Sequence, residues 1–302
     1  MSVPAAFIGV IIIWSTTPLA IQWSSEGWGF MFGVTGRMAL GVVVCAILLL
    51  ALRKKIPLHR DAVWTYVAAG LGIYGAMMSV YWGSQYISSG LVAVLFGLSP
   101  VVTTVMAAVV LQESSLTVGK VLGALLGVAG LAVIFSADIN GAAIAWQGVV
   151  AMLISVFIHS ISAVAVKRVN SGLPAIVTTT GGLLIAVPLY VITWVFTDGK
   201  YPQDMNLKNS SALIYLAIFG TALGFSLYYY ILKKLDASRV ALIPLITPVT
   251  ALLIGQTFNG ETISESVWYG TAFILLALSL HQWGDQLIVG ARSLLVPVKR
   301  PM

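Results

Sequence analysis

The chain has 302 residues, of which 59% are hydrophobic and only 9% are charged, and its formal net charge is +6. Soluble domains contain roughly 25% charged residues, so this composition excludes a soluble globular protein. It predicts an all-α integral membrane protein that crosses the bilayer many times. The single cysteine, Cys45, excludes an intrachain disulfide.

Apolar runs of the length that spans a bilayer divide the chain into ten predicted transmembrane helices. The first run starts close to the N-terminus and is too long for the core of a signal peptide, so we interpret it as a retained span. The connections are short, and the longest, residues 197–210, is too short for a domain. The predicted spans are 3–23, 29–52, 62–84, 89–111, 117–136, 146–166, 173–196, 211–232, 238–258 and 264–289.

The distribution of lysine and arginine predicts the orientation of these spans. With the N-terminus in the cytoplasm, only Lys200 and Lys208 fall outside the cell, and Arg37 lies within a span. Cytoplasmic loops of membrane proteins carry the excess of basic residues. We therefore predict that both termini are cytoplasmic. The basic residues then placed inside are Arg53, Lys54, Lys55, Arg60, Lys120, Lys167, Arg168, Lys233, Lys234, Arg239, Arg292, Lys299 and Arg300.

One stretch, residues 88–113, recurs 148 residues later at 236–261. Such a repeat predicts two units of five spans, residues 1–143 and 144–302. Because five is odd, the second unit enters the membrane inverted. Transporters of this architecture bind substrate near mid-membrane, where the repeats meet. The matched pairs include Pro100 with Pro248, Ser99 with Thr247, Glu113 with Glu261, Gly72 with Gly220, and Tyr81 with Tyr229.

Pro100 and Pro248 occupy equivalent positions in the middle of the fourth and ninth spans. A proline inside a helix removes a backbone hydrogen bond and kinks the helix. We interpret the pair as hinges for a conformational change. A static kink that improves packing is the alternative.

Small residues recur every four positions on the fifth span, at Gly119, Gly123 and Gly127. This spacing lets two membrane helices approach closely. It predicts helix packing, either within the chain or across a dimer.

Aromatic and polar side chains within the spans are the candidate substrate-binding residues. Lipid-facing aromatic residues usually collect at the membrane interfaces, so hydroxyl-bearing rings at mid-depth indicate the wall of a cavity. Ordinary packing inside the bundle is the alternative. The candidates are Trp14, Tyr74, Met78, Tyr81, Trp82, Ser99, His159, Ser162, Phe225, Tyr229 and Thr247, with unwound backbone expected near Ser99 and Thr247.

His159 lies close to mid-membrane and Arg37 about two turns below the outer surface, and ionisable residues at such depths are functional candidates. His159 either contacts substrate or is a neutral histidine bonded to Ser155 or Ser162. Arg37 either has a structural role or meets a substrate carboxylate. No carboxylate shares this depth, which disfavours organic cations, and a lone arginine disfavours phosphate esters. Neutral or zwitterionic molecules with a sizeable apolar part remain.

The sequence contains no nucleophile–base–acid arrangement, no metal-ligand spacing and no phosphate-binding loop. We therefore expect no enzymatic activity, no metal and no cofactor. We expect amino acids or similar small amphipathic molecules as partners, a lipid bilayer as the environment, and no nucleic acid. A monomer is the working assumption for the oligomeric state.

These features together resemble the drug/metabolite transporter superfamily, in its ten-helix EamA-type branch. Trp14 is followed by a small residue, the second span carries Arg37, and the fourth span ends in Leu111-Gln112-Glu113. The second half repeats the proline and the terminal glutamate. Two departures are visible: Ser15 stands where family members often have glycine, and His159 stands where the second repeat often has tryptophan.

Within that branch the chain is similar to the YddG-type exporters. The resemblance implies a basket of helices around a central cavity, with fourth and ninth helices that bend during transport. It implies export of aromatic and other large neutral amino acids across a bacterial inner membrane by alternating access. Two alternatives stay open: a multidrug exporter of broad lipophilic substrates, and a membrane receptor or scaffold that transports nothing.

Overall fold

The computed structural model describes residues 2–112, 117–136, 145–197, 199–202, 206–236, 240, 243 and 247–295. The predicted boundary at 143/144, Glu113, and the basic residues Arg239, Lys299 and Arg300 lie outside these ranges. The helices are α1 (Val3–Ser25), α2 (Phe30–Ala51), α3 (Arg60–Gly83), α4 (Ser89–Phe96), α5 (Ser99–Val110), α6 (Val118–Ser136), α7 (Trp146–Val169), α8 (Ala175–Thr197), α9 (Leu207–Tyr215), a π-helical segment (Leu216–Leu223), α10 (Gly224–Lys234), α11 (Thr247–Asn259) and α12 (Glu265–Leu295).

The described part of the chain is helical and contains no β-strand. Seven of its helical stretches are long and apolar enough to cross a membrane, and Gly119–Ile134 and Glu265–Leu280 are shorter apolar stretches. Large apolar side chains such as Ile12, Ile47 and Leu125 are exposed on the outer faces of these helices. A lipid environment accommodates such surfaces, whereas water does not. The prediction of an all-α, multi-pass membrane protein is confirmed for these residues.

The fourth span is broken, but the backbone around the break is not unwound as predicted. α4 ends at Phe96, and Gly97 and Leu98 keep right-handed φ values of −56° and −76° before α5 begins at Ser99. Pro100 therefore lies in the first turn of α5, where its missing N–H leaves no helical hydrogen bond unmade. The equivalent Pro248 likewise lies in the first turn of its helix, because α11 begins at Thr247.

The eighth span also departs from the plain helix predicted for 211–232. It consists of α9, the π-helical segment and α10 in direct succession. A π-helix closes its hydrogen bonds over five residues instead of four and is frequent at functional sites. This widened stretch packs against α2.

The helices pack in a pattern that is repeated between the two halves of the chain. The second, fourth and fifth spans each pack against their own counterparts, in the pairs α2 with α8, α4 with α11, and α6 with α12. α3 packs on both α7 and α8. In the same way, the π-helical segment and its flanking helices pack on α1 and α2. Helices of each half therefore pack against helices of the other half.

Glycines lie at the closest helix crossings. A Cβ placed on Gly130 would lie 2.9 Å from the backbone oxygen of Gly270, where α6 crosses α12. The small-residue stripe lies on this helix: Gly119 lies against Gly284 of α12, a Cβ on Gly127 would lie 3.7 Å from Ala277 Cβ, and Gly123 is buried. Gly119 and Gly127 of this stripe therefore lie against the last helix of the same chain, and a Cβ on Gly127 would also lie 3.2 Å from Leu98 Cδ2.

The two ends of the bundle differ in charge. At one end, called here the basic end, Lys167 Nζ donates to the backbone oxygens of Leu232 and Leu235, and Lys233 Nζ donates to the backbone oxygen of Leu173 (3.3 Å). The opposite end contains the α1–α2 turn, where Glu26 forms the only ion pair among the described residues, a 2.7 Å contact with Lys208.

Candidate functional site

A cavity of about 70 Å³ lies at the centre of the bundle. It is bounded by α1, α2, α3, α4, α7, the π-helical segment, α10 and α11, so both halves of the chain contribute to it. Arg37 is the only charged residue among the described residues that line it, and no carboxylate does. The lining residues are Trp14, Thr17, Pro18, Ile21, Arg37, Met77, Val80, Val92, Ala93, Phe96, His159, Gly220, Phe225 and Thr247.

Four rings from four helices meet at one side of this cavity. Trp14 of α1, Phe96 of α4, His159 of α7 and Tyr228 of α10 form the group called here the aromatic cluster. Their contacting centroids lie 5.1–6.3 Å apart, in edge-to-face or tilted arrangements. Such pairs are favourable because the positive edge of one ring meets the negative face of another. The cluster offers flat apolar surfaces of the kind that an aromatic ligand stacks on.

Residues of α1, α10 and α11 surround Trp14. Gly224 of α10 has no side chain, and a Cβ there would lie 3.6 Å from Trp14 Nε1, so the indole packs closely on α10. Pro18 lies four residues later in α1 and cannot supply the N–H that would bond the Trp14 carbonyl. Next to Trp14, the Ser15 hydroxyl accepts a 2.7 Å hydrogen bond from Thr250 Oγ1, which connects α1 to α11.

Arg37 is buried in the wall of the cavity, with 1% of its surface exposed. Its Nε donates a 2.8 Å hydrogen bond to Thr221 Oγ1 of the π-helical segment. Its Cζ lies 6.0 Å from the centroid of the Tyr81 ring, and its Nη1 has no hydrogen-bond partner among the described residues. The role of Arg37, which the sequence left open between structure and binding, is now accompanied by a position: the residue lies in the lining of the cavity.

Four of the predicted binding residues, Trp14, His159, Phe225 and Thr247, lie together around the central cavity. Tyr81 lies behind the lining, beside Arg37. Neither serine proposed as a partner of His159 bonds to it: Ser155 Oγ has no partner among the described residues, and Ser162 Oγ donates to Ala68 O.

The other candidates lie elsewhere. The Tyr74 hydroxyl bonds Thr193 Oγ1 of α8 at 2.7 Å, and Ser162 bonds α3, so both serve helix packing. Trp82 is 38% exposed and pairs with Tyr86 at the end of α3. Two further candidates are absent from the lining: Met78 packs against the hydrophobic core, and Ser99 is buried at the start of α5. These five positions lie outside the lining of the central cavity, because a shared helix face does not specify the neighbour that it meets.

Tyr229 borders a second cavity, of about 540 Å³, at the basic end. Lys167, Arg168 and Lys233 also line this cavity, which lies among α3, α5, α7, α8 and α10. The rings of Tyr228 and Tyr229 meet at 5.2 Å. The aromatic cluster and Tyr229 therefore stand between the central cavity and the basic-end cavity.

A hydrogen-bond network closes the other side of the central cavity. Glu261 accepts bonds from Ser89 Oγ (2.6 Å), Ser89 N (3.2 Å), Gly90 N (3.3 Å) and Asn259 Nδ2 (3.1 Å). Gln22, which follows the cavity-lining Ile21, donates to Ile87 O at 2.9 Å, and Asn259 Nδ2 donates to Gln22 Oε1 at 3.4 Å. This opposite-end network joins α1, the start of α4 and the end of α11.

The predicted site did not include several lining residues, notably Phe96 and Thr17. A signal for Phe96 was present: it stands four residues before Pro100, next to the predicted break in the fourth span. Tyr228 stands three residues after the predicted Phe225, so it lies on the same side of the helix.

The sequence profile of the EamA-like transporter family matches residues 2–136 and matches again over residues 146–281. The two matches together cover most of the chain. This protein belongs to the EamA-like transporter family.

Relatives of this EamA-like protein are named as transporters. An uncharacterized transporter of Archaeoglobus fulgidus is 30% identical over 217 residues, which cover 69% of this chain and 74% of that protein. The uncharacterized inner membrane transporter YedA of Escherichia coli is 24% identical, covering 97% of this chain and 94% of YedA. A crystal structure with 20% sequence identity shares the fold, with a TM-score of 0.72 over 95% of this chain and 98% of that chain.

Proposed function

We propose that this EamA-family protein exports aromatic and other large neutral amino acids across a bacterial inner membrane by alternating access. The observation that carries the proposal is the aromatic cluster beside a cavity with one buried cation and no carboxylate among the described lining residues. The rings suit an aromatic side chain. The absence of a carboxylate from that lining disfavours organic cations, which need an acid to offset their charge.

An inverted repeat of two five-span units, 1–143 and 144–302, is part of the proposal. The reciprocal packing of α2 with α8, α4 with α11 and α6 with α12 supports it, because a two-fold axis brings equivalent helices together. The double match of the family profile supports it independently. The excess of lysine and arginine at the basic end supports an orientation with both termini in the cytoplasm.

The small size of the central cavity supports alternating access. Pockets for small-molecule ligands measure roughly 300–1,000 Å³, whereas this cavity measures about 70 Å³. The surrounding helices must therefore move before an amino acid fits. The opposite-end network and the aromatic cluster are the two gates that would open alternately. Pro100 and Pro248 stand at the start of the helices that would bend.

Transport of tryptophan in proteoliposomes tests this function. Uptake of labelled tryptophan into vesicles preloaded with unlabelled tryptophan should exceed uptake into empty vesicles. Phenylalanine and methionine should compete, whereas glutamate and lysine should not. The direction of export rests on the resemblance to YddG-type exporters, and uptake into inside-out vesicles measures it.

A matched pair of tryptophan variants tests the site. Trp14→Ala removes one wall of the aromatic cluster and should reduce tryptophan uptake about tenfold, because an aromatic contact contributes about 0.5–1.5 kcal/mol beyond burial of its area. Trp82→Ala, outside the cavity, should leave uptake unchanged. Equal uptake by both variants would contradict the assignment of the cavity. Transport of a lipophilic drug in place of tryptophan would favour a multidrug exporter, and no transport at all would favour a receptor or scaffold.

A further inference from the structure

We propose that Arg37 binds the carboxylate of the transported molecule and so sets which way round that molecule lies in the cavity. The inference rests on the proposed function, since it takes the central cavity as the substrate site. It adds a requirement that the proposed function does not contain: a negatively charged carboxylate at one end of the ligand.

No ion pair of Arg37 with a carboxylate is found among the residues that the structure describes. The guanidinium has five N–H donors and is always charged. Its Nε bonds Thr221, but its buried Nη1 has no partner in the described ranges. The ion pair described in this structure, Glu26 with Lys208, lies at the opposite end and is about half exposed. A buried cation with a donor to spare favours an anion in the adjoining cavity.

The neighbours of Arg37 fix the plane of its guanidinium. Thr221 accepts from Nε on one edge. Gly220 lets Nη2 approach the π-helical segment, since a Cβ there would lie 3.0 Å from that nitrogen. The Tyr81 ring lies 6.0 Å from Cζ, within the range of a cation–π contact. A planar donor group held in this way suits a planar carboxylate, which it can bind through two hydrogen bonds.

The cavity is therefore polar at one wall and aromatic at another. A carboxylate at Arg37 would direct the apolar end of the ligand toward Trp14 and Phe96 of the aromatic cluster. An aromatic carboxylic acid without an amino group would still bind. An aromatic amine or amide of the same shape would lose the charged contact. Phosphate esters are disfavoured because Arg37 is the only cation in the described lining.

Ligand binding without transport tests the inference. Cys45 is a free, fully buried cysteine, so a thiol-reactive fluorophore reports thermal unfolding of the protein in detergent. The probes are indole-3-propionate and its amide, which differ in charge but hardly in shape. The wild type should bind the acid about ten- to hundredfold more tightly than the amide, the range expected for a hydrogen-bonded charged group.

In Arg37→Gln the preference for the acid should vanish while the affinity for the amide is kept. Arg37→Lys should keep part of the preference, and it replaces Arg37→Gln if that variant does not fold. Equal affinity of the wild type for acid and amide would overturn the inference. So would an Arg37→Gln variant that loses acid and amide equally, because that is the behaviour of a purely structural arginine.

The failure of the proposed function is distinguishable from failure of this inference. If the wild type binds the acid more tightly than the amide but does not transport tryptophan, Arg37 would remain a carboxylate site and the proposed class of transported molecule would be wrong. If the wild type transports tryptophan and tryptophan amide competes as well as tryptophan does, the proposed export function would stand and the proposed role of Arg37 would be wrong.

Discussion

Glu261 provides the sharpest test of how the opposite end is closed. Its Oε1 accepts hydrogen bonds from Ser89 N, Ser89 Oγ and Asn259 Nδ2, and its Oε2 accepts from Gly90 N. The carboxylate thus holds the start of α4 to the end of α11 and lies at the N-terminal end of the α4 dipole, where a negative charge is favourable. Removing it should favour a conformation open at this end.

The size of the effect follows from the bonds lost. Hydrogen bonds to a charged group contribute about 1.5–3 kcal/mol each when buried, and Glu261 is only partly buried. We expect Glu261→Ala to cost the closed conformation about 2 kcal/mol, roughly a thirtyfold shift in population. Glu261→Gln keeps one acceptor oxygen and should cost about 1 kcal/mol, roughly a fivefold shift.

Thiol labelling measures this shift. A cysteine replacing Thr17, which lines the central cavity, is introduced into a Cys45→Ala chain. A membrane-impermeant maleimide is then applied to intact cells, which it reaches from the opposite end in the proposed orientation. Labelling should accelerate in the order wild type, Glu261→Gln, Glu261→Ala. Glu265→Gln, an exposed carboxylate at the same end, is the control. Equal rates in all four chains would refute the role of the network.

Two further predictions concern helix packing. Gly130→Ala should lower the melting temperature, because its Cβ would lie 2.9 Å from the backbone oxygen of Gly270, and overpacking of this kind costs about 1–3 kcal/mol. Gly36→Ala should stay near the wild-type temperature, because its Cβ would meet side-chain atoms of Leu213 and Phe32 and no backbone atom. Ser162→Ala should cost about 1 kcal/mol of stability through loss of its bond to Ala68 O, with tryptophan competition unchanged. Equal melting temperatures for both glycine variants, or altered competition in the serine variant, would contradict these assignments.

Composition and apolar periodicity were sufficient to predict an all-helical membrane protein, because bilayer thickness dictates the length of each apolar run. The position of the breaks was also readable, since proline cannot continue a hydrogen-bonded helix. The backbone geometry of the break at Pro100 was not readable from the sequence. A new helix begins at Ser99, after a tight right-handed turn at Gly97 and Leu98 and without unwinding. Packing around the turn decides that geometry, and the local sequence does not contain it.

The π-helical segment could not be predicted at all. Its sequence, Leu216–Leu223, has the apolar composition of any membrane helix. The wider turn occurs where Gly220 and Thr221 meet Arg37 from another helix. The partner in space is 184 residues away in sequence, and periodicity within one span carries no information about it.

The residues that line the central cavity were predicted only in part, for a related reason. Spacing identifies residues that share a helix face, but it does not identify the neighbour that the face meets. Tyr74 was expected in the cavity and instead bonds α8. Phe96 has no polar group, so it was not predicted as a binding residue, but it lines the cavity. Hydroxyl and indole groups within a membrane require hydrogen-bond partners. A neighbouring helix can supply such a partner as well as a substrate can.

The site is less symmetric than the proposed repeat around it. Trp14 and His159 lie on the first helix of the two units and meet at one side of the cavity, with ring centroids 6.1 Å apart, yet one is an indole and the other an imidazole. Arg37 lies on the second helix of the first unit, and the lining contains no charged residue from the second unit among those described. Matched halves would accept a ligand in two opposite orientations with equal affinity. A single cation removes that degeneracy, so a carboxylate-bearing molecule would keep one orientation while the helices around it move.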